Sequence, residues 1–116
     1  MPCKVVSHLD WNDPDRMTMA LNNIFNLLKD PFGENAVVLM LVNGQAVKLF
    51  EKRSALSTAA NIAELQEKGV RFLLCNNSLT GLGLKQDELI EGCEVVPAGI
   101  VELIRLQQEG FAYIKP

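Results

Sequence analysis

The residues from Ala36 to Val42 form an uninterrupted apolar run, and this run limits the possible folds more than any other segment of the chain. A strand with one face in water alternates apolar and polar side chains, but this run does not alternate. It therefore predicts a strand that is covered on both faces. Buried strands of this kind are typical of parallel sheets with helices packed on both sides.

Predicted strands and helices alternate along the rest of the chain. Further short apolar runs predict strands over residues 4–9, 70–75, 93–96 and 111–114. The clearest helix begins with Asp13 as its N-cap and Pro14 as its first residue, and it ends near Pro31 and Gly33. The other helices are predicted over residues 45–52, 58–68, 84–90 and 97–109.

Two local features follow from the same patterns. The polar segment from Asn76 to Ser78 favours a bend directly after the strand that ends at Cys75. In the last helix, apolar side chains recur at helical spacing, so we expect one face of that helix to pack on the sheet. The positions expected on this face are Ile100, Leu103, Ile104 and, on its flank, Leu106.

The alternation of strands and helices predicts right-handed crossovers between parallel strands. It predicts an α/β fold of three layers, α/β/α, with a five-stranded parallel sheet and a flavodoxin-like or Rossmann-like architecture. The 116 residues contain no repeat, low-complexity stretch or linker, so we expect a single domain spanning residues 1–116. Ligands and reactive groups in such sheets collect at the carboxyl ends of the strands.

The charge and apolar content of the chain narrow its possible partners. The formal net charge is −3, and the longest basic cluster is Lys52-Arg53. Nucleic acids and anionic membranes bind clustered basic residues, so neither is predicted as a partner, and the longest apolar stretch is too short to cross a bilayer. Hydrophobic residues make up 48% of the chain. This surplus favours an oligomer, because a subunit interface buries apolar surface that a small core cannot.

The cysteines and the start of the chain predict a cytoplasmic protein. Cys3, Cys75 and Cys93 are odd in number and form no Cys-x-x-Cys pair, a pattern that fits free thiols in a reducing compartment. The start of the sequence also lacks the apolar run of a signal peptide.

Cys75 is the best candidate for chemistry that the residues alone provide. It ends a predicted strand and precedes a polar segment, where free N–H groups lower the pKa of a thiol and favour the reactive thiolate. The alternative is that Cys75 is a packed apolar residue, as free cysteines often are. Cys3 and Cys93 lie at strand starts, on the opposite edge of the sheet, so we expect them to be passive.

The remaining candidates predict little chemistry. His8, the only histidine, lies on the first strand, where it is either structural or a hydrogen-bond or proton-shuttle partner of a neighbouring thiol. No pair of His8 with the cysteines has the spacing of a zinc site, so no metal is predicted. The glycines of Gly81-Leu82-Gly83 do not follow a strand directly and do not complete a phosphate-binding motif.

Several segments taken together resemble the DsrE/DsrF-like family of small proteins linked to intracellular sulfur transfer, and specifically its stand-alone branch. The similarity extends over nearly all of the chain. It depends on the segments 8–10 (HLD), 13–14 (DP), 20–23 (ALNN), 42–44 (VNG), 75–79 (CNNSL), 96–99 (VPAG) and 107–114 (QQEGFAYI).

The resemblance implies a five-stranded parallel sheet, assembly into homo-oligomeric trimers or hexamers and, as in the sulfur-relay members, a cysteine that carries sulfur as a persulfide. Cys75 matches that cysteine, and neither a metal nor an organic cofactor is implied. Around it, we expect the segment Asn76-Asn77-Ser78 to hydrogen-bond the anionic sulfur, and His8 and Asn43 to line the same pocket from neighbouring strand ends.

Two hypotheses for the function result. In the first, the protein is a sulfur carrier or sulfurtransferase in which Cys75 accepts sulfane sulfur from a donor protein and passes it to an acceptor. In the second, it is a non-catalytic module that binds a small ligand or another protein on the same scaffold, with Cys75 packed or gating a small pocket. A reactive thiol at Cys75 is expected only under the first hypothesis.

Overall fold

A computed structural model describes residues 3–116 of the chain. Its central feature is a five-stranded sheet in which every pair of neighbouring strands is parallel, with the strand order β4-β3-β2-β1-β5. The strands are β1 Lys4–Leu9, β2 Val37–Val42, β3 Arg71–Cys75, β4 Glu94–Val96 and β5 Ala112–Ile114. The predicted five-stranded parallel sheet is therefore confirmed, and the apolar run that begins at Ala36 forms β2, its central strand.

Four α-helices lie in the described residues. They are α1 Pro14–Lys29, α2 Ala59–Glu67, α3 Asn76–Leu82 and α4 Gly99–Gln108. Three short 3-10 segments, Pro31–Gly33, Gly44–Phe50 and Gln86–Glu88, connect them to the strands. The start of α1 is as predicted: Pro14 is its first residue, and the Asp13 carboxylate accepts hydrogen bonds from the N–H groups of Asp15 and Arg16.

The helices form the two outer layers of the predicted three-layer arrangement. Strands β1 to β4 lie in sequence order, and the chain then returns across the sheet to β5, beside β1. Because crossovers are right-handed, this reversal places α4 on the opposite face from α1, α2 and α3. The cores agree with this arrangement. On one face the side chains of α1 to α3 pack on Met40 and Phe72, and on the other Leu103 and Leu106 of α4 pack on Leu41.

Two predictions of local structure are wrong. Residues Asn76 to Ser78 do not form a bend but the first turn of α3, which begins directly after Cys75. Asn and Ser favour helix starts as much as turns, so their identities do not distinguish the two. The predicted helix over 84–90 is reduced to the 3-10 segment Gln86–Glu88, because Leu89 pairs with Glu51 in an isolated bridge and Ile90 N–H donates to the carbonyl of Phe50.

The prediction for α4 is partly wrong. Leu103 and Leu106 are buried against the sheet as expected, but Ile100 and Ile104 are 62% and 51% exposed. The buried stripe is Gly99, Leu103 and Leu106, at i, i+4 and i+7, and it leaves the neighbouring apolar stripe facing outward. The helix also begins at Gly99, two residues later than predicted. In residues 3–116, no helix is long and apolar enough to cross a membrane.

Candidate functional site

Cys75 is the last residue of β3 and the N-cap of α3, so it lies at the carboxyl edge of the sheet, where the sequence predicted the site. Its side chain is 5% exposed. The strand register pairs Leu74 with Val42 of β2 and Cys75 with Val96 of β4, which places Cys75 between the ends of two other strands. The thiol is therefore nearly enclosed, at the edge of the sheet where α3 and α4 begin.

The sulfur of Cys75 accepts hydrogen bonds from two segments of the chain. The N–H of Gly99, the first residue of α4, donates to Sγ over 3.3 Å. Burial is the largest single influence on the thiol and raises its pKa. It is outweighed by hydrogen bonds from the Ser78 hydroxyl and from the backbone N–H groups of Gly99, Ser78 and Asn77, so that the pKa of Cys75 is lowered from its ordinary value.

Ser78 connects the thiol to the end of β2. The N–H of Gly44, just beyond that strand, donates to Ser78 Oγ over 2.8 Å. This bond occupies a lone pair of Oγ and leaves the hydroxyl proton available for the sulfur of Cys75. Asn76 and Asn77 are exposed, and the influence of Asn77 on the thiol comes through its backbone N–H rather than its carboxamide.

Gly99 is a part of the site that sequence reasoning missed. A Cβ at Gly99 would lie 3.1 Å from Leu41 Cδ1, 3.2 Å from Asn43 Cβ and 3.3 Å from Cys75 Cβ. Any larger residue would therefore crowd these three neighbours, and glycine lets the start of α4 approach closely enough for its N–H to reach the sulfur. The signal in the sequence was a glycine near the start of a predicted helix. Glycine is common just after the end of a helix, so a glycine at the start suggests another role.

His8 and Asn43 lie on the same face and edge of the sheet as Cys75, and the structure joins them to each other. His8 Nε2 is 2.8 Å from Asn43 Oδ1, and His8 Nδ1 is 2.5 Å from the hydroxyl of Tyr113 on β5. A carboxamide oxygen only accepts, so Nε2 carries the proton and Nδ1 accepts from Tyr113. Both ring nitrogens are thus engaged away from Cys75, which lies two strands from β1. Tyr113 was not identified as a site residue from the sequence.

The other two thiols have different surroundings. Cys3 and Cys93 precede β1 and β4, at the amino edge of the sheet. Burial, and to a lesser degree the charge of Glu94, raises the pKa of Cys93 to about 12. Cys3 lines an open apolar groove of about 730 Å³ beside α1, and none of the groups that hydrogen-bond Cys75 lies there. Among residues 3–116, no cluster of His, Cys, Asp and Glu side chains could hold a metal ion.

The opposite pKa shifts of Cys75 and Cys93 predict different pH profiles of alkylation. Only the thiolate reacts, so the rate at each cysteine rises with pH until the pKa is passed. We expect the iodoacetamide rate at Cys75 to level off below pH 9, its ordinary pKa, and that at Cys93 to keep rising above it. Peptide mass spectrometry of protein labelled across this pH range measures both, and coincident profiles would contradict the assignment.

The fold and site define a class: small three-layer α/β proteins with a hydrogen-bonded thiol at the carboxyl edge of a parallel sheet. The model of the DsrE/DsrF-like family matches residues 5–116, and the chain belongs to this family, which is linked to sulfur relay. No curated protein matches the chain significantly.

Two solved structures share the fold of the chain. The chain is similar to a protein of unknown function, MTH1491 from Methanobacterium thermoautotrophicum, with 33% identity and a TM-score of 0.90 over 98% of this chain and 99% of that one. It is also similar to the YchN protein of E. coli, with 17% identity and a TM-score of 0.82 over the same shares of the two chains. At this identity, the similarity to YchN shows a common fold only.

Proposed function

We propose that this protein is a cytoplasmic sulfur carrier that holds sulfane sulfur as a persulfide on Cys75, with residues 1–116 acting as one DsrE-like domain. The observation that carries the proposal is the set of hydrogen bonds to the Cys75 sulfur, which lowers its pKa although the side chain is 5% exposed. A thiol with a purely packing role gains nothing from a lowered pKa, whereas a nucleophilic thiol requires it. Free thiols also suit a reducing compartment.

The transfer balances without an oxidant, a reductant or a cofactor. The Cys75 thiolate attacks the outer sulfur of a donor persulfide, R–S–SH. A new S–S bond forms at Cys75 Sγ while the S–S bond of the donor breaks, and the donor leaves as the thiolate R–S⁻. An acceptor thiolate then attacks the outer sulfur on Cys75, takes it, and releases the Cys75 thiolate. The same N–H groups stabilise Sγ before loading and when it leaves in the second step.

Incubation with a small persulfide donor tests this function. After removal of free sulfur species, cold cyanide releases sulfane sulfur from the protein as thiocyanate, which can be counted per chain. We expect about one sulfur per chain, because the chain has a single nucleophilic thiol, that of Cys75. Uptake no greater than that of the unfolded chain would favour the alternative, a non-catalytic ligand-binding or interaction module.

We further propose that the protein is a homo-oligomer, a trimer or hexamer as the family resemblance implies, and that the outer stripe of α4 forms part of the interface. Ile100, Val101 and Ile104 are 62%, 58% and 51% exposed and share one side of the helix. Three adjacent exposed branched aliphatic side chains on one short helix form an apolar patch of the kind that subunit interfaces cover.

Replacing Ile104 with glutamate tests this interface. Burying an unpaired carboxylate in an apolar contact costs several kcal/mol, so the Ile104→Glu variant should dissociate to smaller species at concentrations where the natural chain is assembled. Light scattering coupled to size exclusion measures the mass. Met19→Glu is the matched control, because Met19 is a 47% exposed apolar residue on α1, across the sheet. A wild-type monomer, or equal dissociation of both variants, would contradict the proposal.

A further inference from the structure

Asn43 lies beside Cys75 at the edge of the sheet, and the structure gives its carboxamide a fixed direction. The register pairs Val42 with Leu74, so Asn43 and Cys75 occupy the next positions along adjacent parallel strands. Their Cβ atoms are 3.2 and 3.3 Å from the position that a Cβ on Gly99 would take. The two side chains therefore flank the start of α4 from either side.

The orientation of the Asn43 amide is set by His8 on β1, which in turn contacts Tyr113 on β5. Asn43 Oδ1 lies 2.8 Å from His8 Nε2, and a carboxamide oxygen only accepts, so His8 carries its proton on Nε2. Nδ1 then accepts from the Tyr113 hydroxyl, whose pKa is raised by burial first and then by the negative charge of Asp10, so that it stays protonated. With Oδ1 directed toward His8, the amide NH₂ is directed away from it. Within residues 3–116, that NH₂ group makes no hydrogen bond.

A persulfide on Cys75 creates a need for such a donor. The outer sulfur lies about 2.05 Å beyond Sγ and carries the negative charge. The donors at Sγ, which include the N–H of Gly99, hydrogen-bond the inner sulfur and not the outer one. An anion in a nearly closed site is costly unless a donor reaches it, and adjacent strands are only about 4.8 Å apart, within reach of the Asn43 side chain.

We propose that Tyr113 and His8 are positioning residues that hold the Asn43 carboxamide so that its NH₂ group donates to the outer sulfur of a Cys75 persulfide. This inference rests on the proposed sulfur-carrier function. It assigns His8 a role other than that of a base for the thiol: both its ring nitrogens are occupied, and β1 lies two strands, about 10 Å, from β3. Asn43 is the group that touches the transferred sulfur.

Two substitutions separate this role from a structural one. Asn43→Leu removes the donor at nearly constant size, and it removes no helix cap, because the Asn43 side chain caps no N–H group of the segment Gly44–Phe50. Tyr113→Phe removes only the hydroxyl that fixes the His8 proton, on an exposed strand. The exposed neighbour Ile114, in the variant Ile114→Val, serves as the matched control on β5.

The measurements are the lifetime of the loaded persulfide in the presence of excess cyanide and the pH profile of alkylation of the unloaded Cys75. We expect Asn43→Leu to shorten the lifetime about tenfold, the effect of one hydrogen bond to a charged group, and Tyr113→Phe about threefold. The alkylation profile should stay unchanged in both, since the donors at Sγ are untouched. A general disturbance of the site would move both quantities together.

A third measurement does not depend on sulfur. Nitrogen-15 NMR of His8 should show a protonated Nε2 and a bare Nδ1 in the natural chain, and a mixture of the two tautomers in Tyr113→Phe. If the natural chain takes up sulfur but all variants hold it equally long, this inference is overturned while the carrier function stands. If the natural chain takes up no sulfur, the carrier function falls and this inference falls with it. A His8 proton on Nδ1 overturns the positioning role alone.

Discussion

The Cys75→Ser variant is expected to take up no sulfane sulfur, a complete loss, while its free energy of unfolding changes by only about 1 kcal/mol. A serine hydroxyl is not ionised at neutral pH and does not attack a persulfide, so the nucleophile is gone. A serine oxygen can accept a hydrogen bond from Gly99 N–H in place of the sulfur and is of similar size, so we expect the ends of β3 and α4 to stay in place. Cyanide-released thiocyanate and denaturant unfolding measure the two quantities.

Cys93→Ser and Cys3→Ser are the matched controls for this loss. Neither thiol lies at the carboxyl edge of the sheet, and that of Cys93 has a pKa of about 12, so each variant should take up as much sulfur as the natural chain. Retention of sulfur by Cys75→Ser, or a loss equally large in the Cys93→Ser variant, would contradict the assignment of the nucleophile.

The second large effect is expected at Gly99, which was not among the site residues predicted from the sequence. In Gly99→Val the new Cβ alone would come within 3.3 Å of Cys75 Cβ and within 3.1 Å of Leu41, so the start of α4 must move outward. The Gly99 N–H then loses its contact with Sγ. A hydrogen bond to a charged group contributes about 1.5–3 kcal/mol, and about 1.36 kcal/mol is one pKa unit, so the pKa of Cys75 should rise by about one unit or more.

The pH profile of Cys75 alkylation measures that change directly. At neutral pH the thiolate fraction, and with it the rate, should fall roughly tenfold in Gly99→Val. Gly81→Val is the matched control, because Gly81 also lies in a helix and no atom outside the backbone of that helix is within 4 Å of the position that a Cβ there would take. An unshifted profile in Gly99→Val would mean that the N–H of α4 does not govern the thiol.

The regular elements of the sheet could be predicted because each is specified locally. Strand β1 was predicted with its observed bounds, and the other strands to within one residue at each end, since uninterrupted apolar runs of this length fit buried parallel strands. Helix α1 was specified by Asp13 and Pro14. Because strands and helices alternate, the carboxyl edge followed, and with it the location of Cys75.

The parts that could not be predicted depend on contacts between distant segments. Nothing local tells that β5 lies beside β1, so the bond from Tyr113 to His8, 105 residues apart, was not foreseen. The close approach of Gly99 to Cys75 likewise depends on how α4 crosses the sheet. Ile100 and Ile104 were assigned to the sheet because helical spacing identifies apolar positions but does not say which of two adjacent stripes is buried.

Mapping the site of sulfur on the loaded protein tests the central claim most directly. The natural chain is incubated with a persulfide donor, its thiols and persulfides are trapped by alkylation, and the intact mass and the masses of the three cysteine peptides are measured. The proposed carrier function predicts a gain of one sulfur atom per chain, located in the peptide that contains Cys75. No gain, or equal gains on the peptides of Cys3 and Cys93, would contradict it.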